Sequence, residues 1–300
     1  MTVSRRSFVV AGVTGVASVS VASGLAGCSL APDQDHDGPD APRAQALSRP
    51  VRTAWVLSSG GPRGFVHVGV LKALEELGLK PDLIVGASAG ALVGSLCASG
   101  VAAADIEALA LDLQAWSLGR LAIGTPERLS GGAVADLVRE RARVPLLEHM
   151  PVPMACVALR RSDGAAVAFT AGDAGLAVQA SAAIEGRFAP VRIRGQRYGD
   201  PDWSTPLPVR IARALGAQRV LAVDASAHLD RAPAGAERYR ESDLRKKALI
   251  DTDAAQASLL LKPDFGYWVS LSREFRERAM AAGYRETMAQ AKGLRALHAG

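Results

Sequence analysis

The sequence predicts an α/β fold in which a mainly parallel sheet carries helices on both faces. Two observations predict it. From residue 53 onward, short apolar runs alternate with helical patterns, which is the signature of β-α-β units. The chain also has 300 residues, 49% of them hydrophobic, enough for one sizeable core.

Taken in order, "TAWVLS" (53–58) reads as a strand, 64–77 as a helix, "DLIVGA" (82–87) as a strand and 88–99 as a helix. Helices follow at about 104–116 and 131–143, then strands at "PMACVALR" (153–160) and "AAVAFT" (165–170). A helix at about 206–216 leads into the strand "RVLAVDAS" (219–226). The C-terminal part holds a short run, "SLLLKP", and a helix from Ser272 to His298 broken around Gly283, with its arginines forming a solvated face. There is no internal repeat.

The N-terminus reads differently. Paired Arg5 and Arg6 precede a Gly/Ser-diluted apolar run ending in "LAGC", too diluted for a spanning helix, so residues 1–28 read as a signal segment. The arginines with Phe8 resemble a twin-arginine export signal. "LAGC" resembles a bacterial lipobox, which would place a lipid on Cys28. Ser29 after that cysteine favours an outer-membrane lipoprotein of the cell envelope, facing the periplasm. Residues 29–50, rich in Pro and Asp without hydrophobic period, are expected to form a disordered tether, leaving 51–300 as the folded domain.

The formal charge of +5 falls to +3 once Arg5 and Arg6 are removed, and the basic residues are scattered among few aromatics. That balance argues against a nucleic-acid partner. With Cys28 assigned to the lipobox, Cys97 in a helical pattern and Cys156 in a strand-like run read as buried thiols, so no disulfide framework is expected.

The chemistry centres on "IVGASAGALVG" (84–94). Gly86-Ala87-Ser88-Ala89-Gly90 is a G-x-S-x-G pattern that follows an apolar strand and opens an apolar helix, the setting that exposes a serine hydroxyl at a sheet edge. Ser88 is therefore a candidate nucleophile; on the motif alone it could also be a small residue at a tight turn. Upstream, "SSGGPRG" (58–64) lets the amides of Gly60 and Gly61 face an anion at a helix start. Read alone this could be a phosphate loop, but it matches neither G-x-G-x-x-G nor the Walker pattern.

"LSSGGPRGFVHVGVLKALEELGLKPDLIVGASAGALVGSLCASG", with "ASAAIEGRFAPV", "YGDPDWSTPLPV" and "LGAQRVLAVDAS" further on, resembles the patatin-like phospholipases over most of residues 53–290. The resemblance implies a three-layer α/β/α fold, an acyl-ester lipid or phospholipid substrate, and a Ser-Asp dyad working through an acyl-serine without histidine. Carried over, Ser88 is the nucleophile and Asp200 the base. Gly60 and Gly61 form the oxyanion hole, whose loop Arg63 orders.

Three positions depart from the family pattern: Ser59 and Glu185 replace a glycine and a proline, and Asp200 is followed by Pro201-Asp202 instead of glycines. Asp202 is expected to point to solvent. No cofactor or metal is expected, since there is no clustered oxygen-ligand loop for calcium. Two other readings stand beside this one. One is an α/β-hydrolase triad of Ser88, Asp200 and His228. The other is a lipid-binding lipoprotein whose dyad has drifted.

Overall fold

The computed structural model describes residues 34–113, 119–122, 126, 127 and 129–299. The proposed signal segment and Cys28 lie outside them. The first half contains β1 (Asp35–His36), β2 (Thr53–Leu57), α1 (Phe65–Glu76), β3 (Leu83–Ala87), α2 (Ala89–Ala98), α3 (Ala103–Asp112), β4 (Arg120–Leu121), β5 (Leu129–Ser130) and α4 (Gly132–Arg141). The second contains β6 (Met154–Arg160), β7 (Ala166–Phe169), α5 (Ala174–Ser181), β8 (Val191–Ile193), β9 (Gln196–Gly199), α6 (Val209–Ala214), β10 (Arg219–Val223), α7 (Arg240–Ala254), β11 (Leu259–Leu261), α8 (Arg273–Ala289) and α9 (Ala291–Ala299).

The main sheet runs β1-β8-β9-β6-β3-β2-β10-β11, with β7 also paired to β6. Its centre, β6-β3-β2-β10-β11, is parallel throughout. The pleat explains the layering. Trp55, Leu57, Ile84, Cys156, Leu221 and Val223 face a core shared with α1, α2 and α5, whereas Ala54, Val56, Val85, Val157, Val220 and Ala222 face α6 and α7. Helices thus cover both faces, giving the three-layer α/β/α arrangement that the sequence implies. Cys156 is fully buried, which pushes its thiol up to about 12, and Cys97 sits half-buried in α2.

Several expectations are corrected. Residues 34–50 are not a disordered tether. Here β1 pairs in parallel with β8, the Arg43 amide donates to Ala171 O at 3.0 Å, and Ala41 is buried. Gly172 makes room for this arm, because a Cβ there would lie 2.7 Å from Asp40 O and 2.8 Å from Ala41 O. The helix expected to reach residue 116 ends at Asp112.

The C-terminal helix is not broken at Gly283; α8 runs through it to Ala289. Glycine is there for packing. A Cβ on Gly283 would lie 2.3 Å from Val66 O, and one on Gly69 would lie 1.8 Å from Met280 O, so α1 and α8 cross with their backbones in contact. Nor is the arginine-rich face wholly solvated. Arg276 is buried and donates to the carbonyls of Ala110, Leu111 and Leu271, taking up the chain end that α3 leaves open.

Candidate active site

The C-terminal ends of β2, β3 and β10 converge on Ser88. The serine follows β3 directly and opens α2 with φ 52° and ψ −116°, a left-handed conformation that a residue with a Cβ rarely adopts. Its neighbours hold it there. A Cβ on Gly86 would lie 2.4 Å from Gly90 O, and one on Gly90 would lie 2.2 Å from Leu57 O, so both glycines of the motif are required by close approach. The Ser88 amide donates to Ser181 Oγ at 2.8 Å, and that hydroxyl donates in turn to Val157 O. The strained turn is therefore tied to α5 and β6.

The Ser88 hydroxyl donates to Asp200 Oδ2 at 2.6 Å. Asp200 stands just past β9, with its amide bonded to Ala183 O at 3.0 Å. It is 8% exposed, and this burial pushes its carboxyl up to about 7. The Ser88 hydrogen bond and the Asp202 amide, 2.9 Å from Asp200 Oδ1, pull the other way, while the Asp202 charge pushes in the same direction as burial.

Asp202 does not point to solvent. Its Oδ1 accepts from Lys246 Nζ of α7 at 2.5 Å and from the Ser59 hydroxyl. Pro201 leaves the site intact: its carbonyl accepts the Ser204 and Thr205 amides, turning the chain back so that Pro206 O meets the Ser59 amide at 2.8 Å. Two of the departures from the family pattern, Ser59 and Asp202, are thus partners of one another. Glu185, the third, pairs with Arg161 at 2.6 Å on the exposed side of its turn.

The Gly60-Gly61 loop lies beside this pair. It leads into a 3-10 turn at Gly61–Gly64, with Gly61 at φ 52°, and the amides of Gly60 and Gly61 bond to no described residue. A Cβ on Gly64 would lie 2.3 Å from Ala89 Cβ, so the loop sits directly against the residue after the serine. Arg63 turns away from the serine. Its guanidinium is buried over the Phe265 ring at 4.2 Å and donates to the carbonyls of Ala225, Gly266 and Tyr267, with burial pulling its pKa down to about 10. It orders the loop from behind.

His67 is fully buried beneath the same loop, with Nε2 2.9 Å from Ser58 O; burial lowers its pKa to about 4 and keeps it neutral. His228 is elsewhere, with Nε2 3.0 Å from Lys262 O. The 2.6 Å Ser88–Asp200 bond leaves no room for an imidazole between them.

A cavity of about 710 Å³ opens next to the serine, bordered by Gly61, Phe65, Ala89, Leu92, Phe188 and Leu271. Its walls are mainly apolar, and its size suits an acyl chain. Sequence reasoning missed Ser181, Lys246 and His67. Ser181 lay within a quoted segment, "ASAAIEGRFAPV", without a role; Lys246 carried no local signal.

The patatin-like phospholipase family model matches residues 55–213. An uncharacterized NTE family protein of Mycobacterium tuberculosis is 32% identical over 234 residues, covering 74% of this chain and 63% of that protein. The chain therefore spans less than two thirds of that relative's length. Patatin-like phospholipase domain-containing protein 6 of Homo sapiens is 29% identical over 182 residues, 57% of this chain and 13% of that protein. Among solved structures, VipD from Legionella pneumophila shares the fold with a TM-score of 0.56 at 14% identity, covering 87% of this chain and 71% of that one. Since the family match spans more than half of the sequence and contains both Ser88 and Asp200, the chain belongs to the patatin-like phospholipase family.

Proposed function

We propose that this domain is a serine lipid acyl hydrolase that cleaves acyl esters of lipids through a Ser88–Asp200 dyad. The observation that carries the reading is the direct 2.6 Å hydrogen bond from the Ser88 hydroxyl to a desolvated carboxylate. As Ser88 Oγ attacks the ester carbonyl, Asp200 takes its proton, and the tetrahedral oxyanion faces the amides of Gly60 and Gly61. Asp200 returns the proton to the departing alkoxide, which leaves an acyl-serine. A water that gives its proton to Asp200 then attacks that ester, and as the C–O bond to Ser88 breaks Asp200 passes the proton to Ser88 Oγ, which frees the fatty acid and restores the dyad. A carboxyl near pH 7 is well matched to both directions of transfer.

The apolar cavity bordered by Gly61 and Ala89 supports a long acyl chain as the bound group. The engagement of His228 with Lys262 O favours the dyad over a Ser-Asp-His triad. The intact serine–aspartate contact likewise favours an enzyme over a drifted lipid binder.

The deciding experiment is hydrolysis of a p-nitrophenyl ester together with labelling by a fluorophosphonate. Wild type should turn over and label at Ser88, and Ser88→Ala should lose both while remaining folded. Turnover that survives Ser88→Ala would overturn the assignment.

We further propose that residues 1–28 export the chain and that Cys28 carries a lipid anchor at the outer membrane. Cys28→Ala should abolish lipid attachment in the native host; unchanged membrane fractionation and processing would overturn this.

A further inference from the structure

Among the described residues, the exposed large apolar side chains concentrate around one loop. In "FGYWVSL" (265–271), Trp268 is 47% and Val269 53% exposed, and Tyr239 beside them is 40% exposed. Tyr239 and Trp268 meet edge to face at 6.2 Å, as do Tyr267 and Trp268 at 5.0 Å. Soluble surfaces scatter such residues singly; a cluster of them marks a place of contact.

The loop is held up from beneath. Phe265 is buried under the Arg63 guanidinium, which also binds the carbonyls of Gly266 and Tyr267, while the Tyr267 hydroxyl donates to Asp243 Oδ2 at 2.6 Å. Burying the base and bonding the backbone leaves Trp268 and Val269 as a braced tip with nothing described above them.

Two features identify what the tip meets. First, charge: in the segment that flanks the tip, Arg231, Lys246 and Lys247 are paired with Asp264, Asp202 and Asp251, while Arg238, Arg240 and Arg245 form no ion pair among the described residues and stand beside only two unpaired acids, Glu237 and Glu241. Arg238, Arg240, Arg245 and Lys247 are exposed, and Arg238 lies 4.7 Å from the Tyr239 ring. A second copy of this chain would set these unpaired arginines against their like, whereas an anionic lipid surface complements them. Second, continuity: Leu271, at the end of the same loop and 42% exposed, lines the apolar cavity beside Ser88. Tryptophan and tyrosine next to basic side chains are the composition of a membrane-interface anchor.

We propose that Tyr239, Trp268 and Val269 form a docking face that seats the domain on an anionic lipid bilayer, with the mouth of the acyl cavity toward the membrane. The inference deepens the lipid-hydrolase reading, on which its account of the cavity rests. The binding face itself does not depend on turnover.

The test uses the full chain carrying Ser88→Ala, so that lipid is bound and not consumed. It is mixed with phosphatidylcholine–phosphatidylglycerol vesicles whose acyl chains are brominated. Tryptophan fluorescence should be quenched, and the quenching should fall markedly in Trp268→Phe, on phosphatidylcholine alone and at high salt. An N-terminal anchor acting alone would leave Trp268 in water and quenching equal in both proteins, which would overturn the proposal. In the Ser88 background, Trp268→Ser with Val269→Ser should weaken hydrolysis of vesicle lipid about tenfold and leave that of a soluble p-nitrophenyl ester unchanged. Equal loss on both substrates, or a concentration-dependent dimer that buries Trp268, would also overturn it. Quenching at Trp268 without hydrolysis of any ester would keep the docking face and remove the hydrolase reading.

Discussion

Lys246 Nζ lies 2.5 Å from Asp202 Oδ1, and the amide of Asp202 lies 2.9 Å from Asp200 Oδ1, so a cation on α7 reaches Asp200, the proposed base, through one intervening residue. The two charges act on Asp200 in opposite senses: Asp202 raises its pKa and Lys246 lowers it. The acidic limb of kcat/KM for a p-nitrophenyl ester should therefore move up in Lys246→Met and down in Asp202→Asn. A shift of both in one direction would show that the change is general disruption of the loop.

Ionisation of Asp200 should also be visible in stability. Burial pushes its carboxyl from the ordinary 3.8 up to about 7 in the folded chain, so the native state holds the proton more tightly. Stability then declines as pH rises from about 4 to about 7 and is flat above that. Asp200→Asn keeps the shape and cannot ionise. It should abolish turnover, match wild type near pH 4 in urea unfolding, and exceed it above pH 7 by roughly 1–3 kcal/mol.

At Ser88 the backbone itself can be interrogated. With φ 52° and ψ −116°, any side chain there is strained by about 1–3 kcal/mol. Both Ser88→Gly and Ser88→Ala remove the hydroxyl, but only glycine relieves the conformation. Ser88→Gly should be the more stable of the two by about 1 kcal/mol in urea unfolding.

The crossing of α1 and α8 gives a packing prediction. Gly69→Ala or Gly283→Ala must push one backbone off the other and should destabilise the domain by about 2 kcal/mol or more. Gly38→Ala, where a Cβ meets nothing within 4 Å, should be near neutral in the same thermal melt.

The parts of this structure that could be read from the sequence are those whose signal is local. The Ser88 turn was legible because strand, turn and helix follow one another in a dozen residues, whereas Asp200 carried no such local signal and was named only through the family resemblance. Gly283 was misread for the opposite reason: in sequence it looks like a helix breaker, whereas Val66, more than two hundred positions away, is what requires it. Lys246 sits in a charged helix that resembles any solvated face, and only folding brings it to Asp202. The β8–β9 hairpin was missed because its turn uses Arg194 and Gly195, both at positive φ, where asparagine or aspartate before glycine would have announced it.

The N-terminal arm bears on reach. A free spacer from residue 29 to residue 50 could extend roughly 70 Å, enough for an anchored enzyme to touch surfaces well beyond its own bilayer. With the chain seated on β8 from Asp35, only about six residues separate Cys28 from the folded domain, a leash of roughly 20 Å at full stretch. Under the proposed acylation, such a leash confines the domain to the leaflet that holds its own lipid. It would then graze on its host membrane and could not serve as a ranging scavenger of the periplasm.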